Sequence, residues 1–557
     1  LVMEKSNIAE WYATKNIFIT GATGFMGKIL VEKILRSCPK VSSVYLLIRP
    51  KKGRDIRDRL EDFLNTPVFD SLRDRSNSQE IFEKVHCIPG DVFQKNCGVS
   101  DNHHTLLKDT VDVVFHMAAN VRFDQTLKSA ITTNLGGTLH VLELARQFAK
   151  LKSFVHVSTS YCHCNESEVY EKLYTAPHDP RKMLDLVSWM EEEVLQYLTP
   201  RLLNNSPNTY AYTKCLTEQL VSEYGDKLPL AITRPSIITA AYKEPIPGWV
   251  DNLNGPTGIL IGAGKGVIRT VHCNTNFIAD FVPVDSCINS LLIVAWKVGS
   301  EPRRNEAGVY HITANKEQLL SWGEALELGK KHVYKYPFSV CLWYPGGSPK
   351  SSEIVHNIAV FFFHLIPAYA VDFLMTLTRN KPFLVRLQKR IQNGLSVLQY
   401  YTTRPWVFHN EKLKNVFETL GETDRQIFYT NAEPMDYDIY MLNYILGARK
   451  YCVREDLDTL PHARMVLKRL YYLDVAKNIF ICALLLWLLF LFVTTVLENF
   501  ECPLEFLGRN HLQEFAKPFR FNVTNVFVGR KLSRVEDEAN FLSTKNMSET
   551  EKKIIGD

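Results

Sequence analysis

The stretch NIFITGATGFMGKILVEKIL, residues 16–35, decides the fold. Its first five residues are an apolar run short enough for a buried strand, and the run ends in Thr20 and the triplet Gly21-Ala22-Thr23-Gly24-Phe25-Met26-Gly27. The residues that follow carry apolar positions at helical spacing. Strand, glycine turn and helix in that order let a backbone without side chains approach a pyrophosphate at the positive end of a helix. The expected fold class is therefore α/β, a Rossmann-type doubly wound parallel sheet.

Working outward, short apolar runs alternate with amphipathic helical patterns through the first 300 residues, as βαβ units require. The expected strands are Asn16 to Thr20, Val44 to Ile48, Val85 to Ile88, Val113 to His116, Phe154 to Ser158 and Ala231 to Thr233. The second ends at Arg49, 22 residues beyond Gly27, where an acidic residue would hold a ribose 2'-hydroxyl. A guanidinium there suits a 2'-phosphate, with Lys51, Lys52 and Arg54 adding to the field, so NADPH is the expected cofactor; a solvated basic loop is the plain alternative. Asp91 and Val92 end the third strand, where a carboxylate can accept from the adenine amino group. Ala118, Ala119 and Asn120 end the fourth, small residues where a sugar-phosphate passes close.

Tyr210 and Lys214 sit four apart in TYAYTKCLTEQLVSEY, on one face of an expected helix. An ammonium beside a phenol is expected to lower its pKa and turn it into a general acid or base. The strand before it runs into Ser158, Thr159 and Ser160, and a hydroxyl there can stabilise a carbonyl oxygen that gains negative charge. Thr159 is the choice, with Ser158 or Ser160 as substitutes. Tyr210 lies 51 positions after Thr159, and the intervening segment, with Trp189, Met190 and Glu191 to Glu193, reads as a helical flap. Cys162, His163 and Cys164 read as structural, with a redox or covalent role as the alternative, and no metal site is expected.

Together these motifs resemble the extended short-chain dehydrogenase/reductase superfamily, and within it the fatty acyl-coenzyme A reductases. The longer segments PIPGWVDNLNGPTGILIGAGKGVIRT (245–270), FFFHLIPAYAVD (361–372) and YTTRPWVFHN (401–410) carry the resemblance to these reductases. It implies Thr159 as the catalytic hydroxyl, Tyr210 as the acid and Lys214 as its helper, with Asn134, Pro235 and Ile237 lining the nicotinamide pocket. It also implies reduction of a long-chain acyl-CoA to the alcohol through an aldehyde, at two NADPH per alcohol. A membrane-bound hydroxysteroid dehydrogenase, or a catalytically silent tethered binding protein, is the rival reading.

The chain divides by expectation into a reductase domain at 1–344, a linker near 345–352, a helical C-terminal domain at 353–470, a transmembrane helix at 478–497 and a tail at 498–557. Asn478 to Leu497 is 20 residues without a charge, which as a helix spans about 30 Å. Arg464, Lys468, Arg469 and Lys477 precede it, while Arg509 and Lys517 follow, so the large N-terminal body is expected in the cytosol, at the endoplasmic reticulum or peroxisome membrane. Two sequons, at Asn522 and Asn546, would then be lumenal. The oily stretch Ile358 to Thr378 is expected to form a helical pair that lines a greasy cavity or dips into one leaflet. Leu1 to Tyr12 carries Glu4, Lys5 and Glu10 and no apolar run, so no secretory signal is expected there. Among all 557 residues, 65 basic against 60 acidic side chains are too evenly matched for a nucleic-acid binder. The 12 cysteines include no C-x-x-C pair, which argues against a zinc module or disulfide framework.

Overall fold

A computed structural model describes residues 5–51 and 53–499. Lys52, Arg509, Lys517, the sequons at Asn522 and Asn546, and nearly all of the expected tail lie outside the described residues. Two compact units result, Leu1–Leu467 and Lys468–Asp557.

The first unit is built on seven strands: β1 (Asn16–Thr20), β2 (Ser43–Ile48), β3 (Val85–Pro89), β4 (Val113–His116), β5 (Ser153–Val157), β6 (Leu230–Pro235) and β7 (Gly308–Ile312). They stand in the order β7-β6-β5-β4-β1-β2-β3, every neighbour parallel. Both faces are covered, which is why the strands read as unbroken apolar runs. Ile17 and Ile19 face one core, with helices α1 (Phe25–Ser37) and α4 (Val284–Ser300). Phe18 faces the other, with α2 (the continuous helix through Leu127–Ala130, Ile131–Gly136 and Gly137–Ala145) and α3 (Thr209–Ser222). Chain order reverses between β1 and β4, so the crevice for a ligand opens at their carboxyl ends.

Two sequence readings change. The stretch at 345–352, expected as a linker, is partly in a strand, because Ser348–Lys350 pairs in parallel with Thr270–His272 in a two-stranded sheet. The oily stretch forms one unbroken helix rather than a pair, α5 (Glu353–Leu377), which absorbs the run before Pro367 as a π-turn at Phe361–Leu365. It packs beside α6 (Leu384–Thr402) with most of its apolar residues exposed. A later helix, α7 (Tyr437–Gly447), meets the loop at Gly248 so closely that a Cβ on Gly447 would fall 1.8 Å from the Gly248 oxygen.

The second unit, among described residues, is the outer part of helix α8 (Leu460–Asn499). It is long and apolar enough to cross a membrane, and none of its most apolar window is buried.

Candidate active site

The glycine turn leaves β1 with Gly21 at φ +77°, where an L side chain is strained. A Cβ there would also sit 2.8 Å from the backbone nitrogen of Ala118, so β1 and β4 close on each other only because Gly21 has none. Helix α1 starts at Gly24 with no side chain capping it, and Thr23 and Gly24 are exposed while Gly27 is buried. Its first N–H groups, from Phe25 and Met26 onward, therefore point into the crevice without a protein partner. That uncapped end fits a pyrophosphate, and hence a dinucleotide.

From this turn a chain of buried and part-buried hydrogen bonds runs to helix α3. Thr213 donates its hydroxyl proton to the Tyr210 carbonyl at 3.0 Å, so its oxygen accepts from Asn134 Nδ2 at 3.1 Å. Asn134 sits in the π-turn of α2, and its Oδ1 accepts from the Asn120 N–H at 2.8 Å. Thr138 donates to the Asn134 carbonyl at 2.7 Å, which leaves its oxygen to accept from His116 Nε2 at 2.9 Å. The His116 tautomer follows: Nδ1 is the acceptor, and Thr20 donates to it at 2.7 Å while accepting from Ala118 N–H at 3.3 Å. Burial pushes His116 down to about 3, so the ring stays neutral and the direction of the chain is fixed. Sequence reading found Thr20, Ala118, Asn120 and Asn134 but missed His116, Thr138 and Thr213 as members of one network.

Tyr210 opens α3 behind Asn208, whose side chain caps the helix by accepting from Ala211 N–H at 2.9 Å. An asparagine just ahead of a helical pattern is a readable cap that sequence reading passed over. The Asn208 amide also donates to the Tyr401 hydroxyl at 2.9 Å, tying the cap to α6. Phe123 stands edge-on to Tyr210 with ring centroids 5.5 Å apart, and Tyr401 adjoins both Phe123 and Tyr161. Lys214 donates to the Val157 carbonyl at 2.7 Å, at the end of β5.

One expectation is reversed here. Burial pushes the Tyr210 phenol above its usual range and brings Lys214 down to about 8, and no effect of the ammonium offsets the burial of the phenol. The resting tyrosine is thus a neutral donor. Among the three hydroxyls after β5, Ser160 donates to the Arg234 carbonyl at 2.7 Å and Ser158 points to Cys162 Sγ at 3.7 Å. Thr159 only accepts, from Tyr161 N–H at 3.3 Å, so its own proton is unspent.

The remaining sites fall into separate groups. Arg49 is 64% exposed, lies over the Phe93 ring and approaches Asp91 at 3.8 Å. Arg54 pairs with Asp62 at 2.7 Å, and among the described residues Arg49 and Lys51 are further cations at the end of β2. Asp91 accepts from Phe93 N–H, and the Val92 carbonyl lies 2.9 Å from His140 Nδ1. Ala119 stays in the loop after β4. Pro235 ends β6, and Ile237 begins the strand Ile237–Thr239. The flap segment holds two helices, Pro180–Trp189 and Glu192–Leu202.

Behind the site, Glu218 takes both oxygens to Arg234, at 2.9 and 2.6 Å, and also meets Cys162 and His163. Cys162, His163 and Glu218 are close enough to share a cation, but the guanidinium already fills that place. Burial opposes charge on His163, yet its contacts with Cys162 and Glu218 outweigh it and raise it to about 10.

Residues 19–291 match an NAD-binding family and residues 363–455 a second, Sterile, both described as male sterility protein. Fatty acyl-CoA reductase 1 of Homo sapiens is 36% identical over 88% of this chain and 95% of its own length. Fatty acyl-CoA reductase 2 of Bos taurus is 35% identical over 84% and 90%. In fold, the chain resembles the reductase domain of a nonribosomal peptide synthetase from Mycobacterium tuberculosis, with a TM-score of 0.55 at 17% identity over 80% of this chain and 95% of that one. The glycine turn, the tyrosine-lysine helix and the match to these relatives over nearly their whole length lead to one assignment: the chain belongs to the fatty acyl-CoA reductase family.

Proposed function

We propose that this protein reduces long-chain fatty acyl-CoA to the fatty alcohol with NADPH, through an aldehyde and with release of CoA. The observation that carries the reading is the unspent Thr159 proton at the end of β5, close behind the Lys214 anchor on Val157, in a chain of this family. Bound NADPH supplies hydride, twice per alcohol. Thr159 donates to the thioester carbonyl oxygen as charge gathers there, and Tyr210 stands as a second neutral donor. When the carbon–sulfur bond breaks, CoA leaves as the thiolate and takes its proton from water, and the aldehyde stays against the same two hydroxyls. At the second reduction Tyr210 gives its proton to the alkoxide, and Lys214, charged below about pH 8, stabilises the phenolate left behind.

For the cofactor, the uncapped start of α1, with Thr20, Gly21, Thr23, Gly24, Phe25, Met26 and Gly27, holds the pyrophosphate. Arg49 takes the 2'-phosphate, Asp91 and Val92 meet the adenine, and Ala118, Ala119 and Asn120 line the sugar. Asn134, Pro235 and Ile237 line the nicotinamide, with Tyr210 and Lys214 on its ribose. Domain bounds follow the sequence reading, and α8 anchors the protein with its body in the cytosol, at the endoplasmic reticulum or peroxisome membrane.

The test is a product assay on membranes that carry the full chain, with acyl-CoA of several lengths and NADPH or NADH. Alcohol formed at two NADPH per molecule, and lost in Tyr210→Phe, is the expected result. Product formed equally well by Tyr210→Phe would remove Tyr210 from the chemistry, and no turnover of any acyl chain would overturn the assignment.

A further inference from the structure

Helix α5 is long and apolar enough to span a bilayer, yet it is fastened to the folded body along its length. His364 accepts at Nε2 from the Arg269 N–H at 2.8 Å, and its Nδ1 meets Gln392 of α6 at 2.6 Å. His356 lies 3.1 Å from the Thr270 hydroxyl. Asp372 accepts from the N–H groups of Phe383, Leu384 and Val385, capping the start of α6. His356, Ala359, His364 and Ala368 form the buried stripe.

The rest of the helix presents bare hydrocarbon. Ile354 is 72% exposed, Phe373 65% and Leu377 64%, with Ile358, Phe362 and Leu374 between 53% and 59%. Contiguous exposed apolar surface of this extent marks a contact with membrane or protein. Charge selects between them. From Phe373 to Asn410 there is no acidic residue, while Arg379, Lys381, Arg386, Lys389 and Arg390 ring the turn and the first half of α6. An apolar helix beside a predominantly basic band, with Asp372 near Arg386 as an acidic neighbour, matches acyl chains beside anionic headgroups.

The hairpin also leads to the site. Helix α6 runs about 28 Å at 1.5 Å per residue, from the basic turn to Tyr401, whose ring meets Phe123 and Tyr161 beside Tyr210. A cavity of about 650 Å³ opens there, lined by Phe123, Asn208 and Thr209 from the catalytic side and by Glu353, Ser396 and Tyr400 from the hairpin.

We propose that α5 and the basic turn lie in the plane of one leaflet of an anionic bilayer instead of crossing it, so that the cavity opens at the hydrocarbon boundary. Resting on the acyl-CoA reading above, this makes the hairpin the entry for long acyl chains, which reach Tyr210 from the leaflet rather than from water.

The experiment uses the full chain in sealed vesicles of phosphatidylcholine and phosphatidylserine, without substrate. A phospholipid with a diazirine in its acyl chain should label peptides of 354–374 at least tenfold more than the segment around Tyr197, which is 86% exposed. A membrane-impermeant amine reagent should modify Lys350 and Lys381, which flank α5, from the same face. Modification from opposite faces would establish a span and overturn the proposal, as would labelling no greater than at Tyr197 or cross-linking of α5 to a second protein. Since labelling needs no turnover, its failure is separable from failure of the reductase reading. The pair Phe362→Asp with Phe373→Asp should cut turnover of vesicle-borne long-chain thioester about tenfold and leave a short, soluble acyl-CoA unaffected; equal loss on both substrates would overturn the entry role.

Discussion

Replacing Thr138 with valine keeps the shape of the side chain and removes the hydroxyl at the middle of the chain from Thr20 to Tyr210. His116 Nε2–H then loses its acceptor, at a position 1% exposed, while the Asn134 carbonyl loses one donor and keeps the Gly137 N–H. Each orphaned buried group costs about 1–3 kcal/mol. The histidine can relieve one penalty by moving its proton to Nδ1, but Thr20 must then stop donating there, so at least one group stays unsatisfied. The expected loss is therefore about 1–3 kcal/mol. For a unit the size of Leu1–Leu467 a loss of 1 kcal/mol lowers the melting temperature by about 1 °C, so that of the detergent-solubilised full chain falls by about 1–3 °C. Thr138→Ser, which keeps the hydroxyl, recovers most of the loss. Equal melting of Thr138→Val and the unaltered protein, or equal destabilisation by serine and valine, would refute the tautomer assignment.

Three further outcomes are expected. Arg49→Ala weakens NADPH about tenfold and leaves NADH unchanged, the low end of the ~1.5–3 kcal/mol for hydrogen bonds to charge because the side chain is largely exposed; titration of both cofactors checks it. Burial lowers the Lys214 pKa, so its charge is lost as pH rises: the rate falls above about pH 8, while Lys214→Arg abolishes that decline at a lower rate throughout. Arg234→Met leaves the buried Glu218 carboxylate with His163 as its remaining cationic partner and costs up to about 3–5 kcal/mol, visible as a drop in thermal stability.

How much of this was legible depends on how local each feature is. The β1–turn–α1 unit is written in twenty consecutive residues, and Tyr210 with Lys214 in five, so sequence sufficed for both. Strand β7, GVYHI, escaped because it is five residues long, sits between polar segments and pairs with β6 alone. The 345–352 stretch has turn composition, yet its backbone pairs with residues nearly eighty positions earlier. The Thr20–His116–Thr138–Asn134–Thr213 chain joins residues up to 96 apart, and no spacing rule announces it. The shift at Tyr210 was misjudged for the same reason. A lysine four residues on is visible in the sequence, whereas the desolvation of the phenol is a property of the assembled fold. Among Ser158, Thr159 and Ser160, likewise, only the packing of neighbours against two of them singles out the third.

The meeting of Gly248 with Gly447 bears on how such proteins can be recombined. Two backbones touch there with no side chain on either, and an added methyl on Gly248 would fall 1.9 Å from the Asn443 oxygen. A graft that takes the N-terminal segment from one reductase and the C-terminal helices from another must bring a glycine on both sides of that junction. A mismatched pair would fail at assembly, however sound the two parents, so the two segments constitute one inherited piece rather than interchangeable modules.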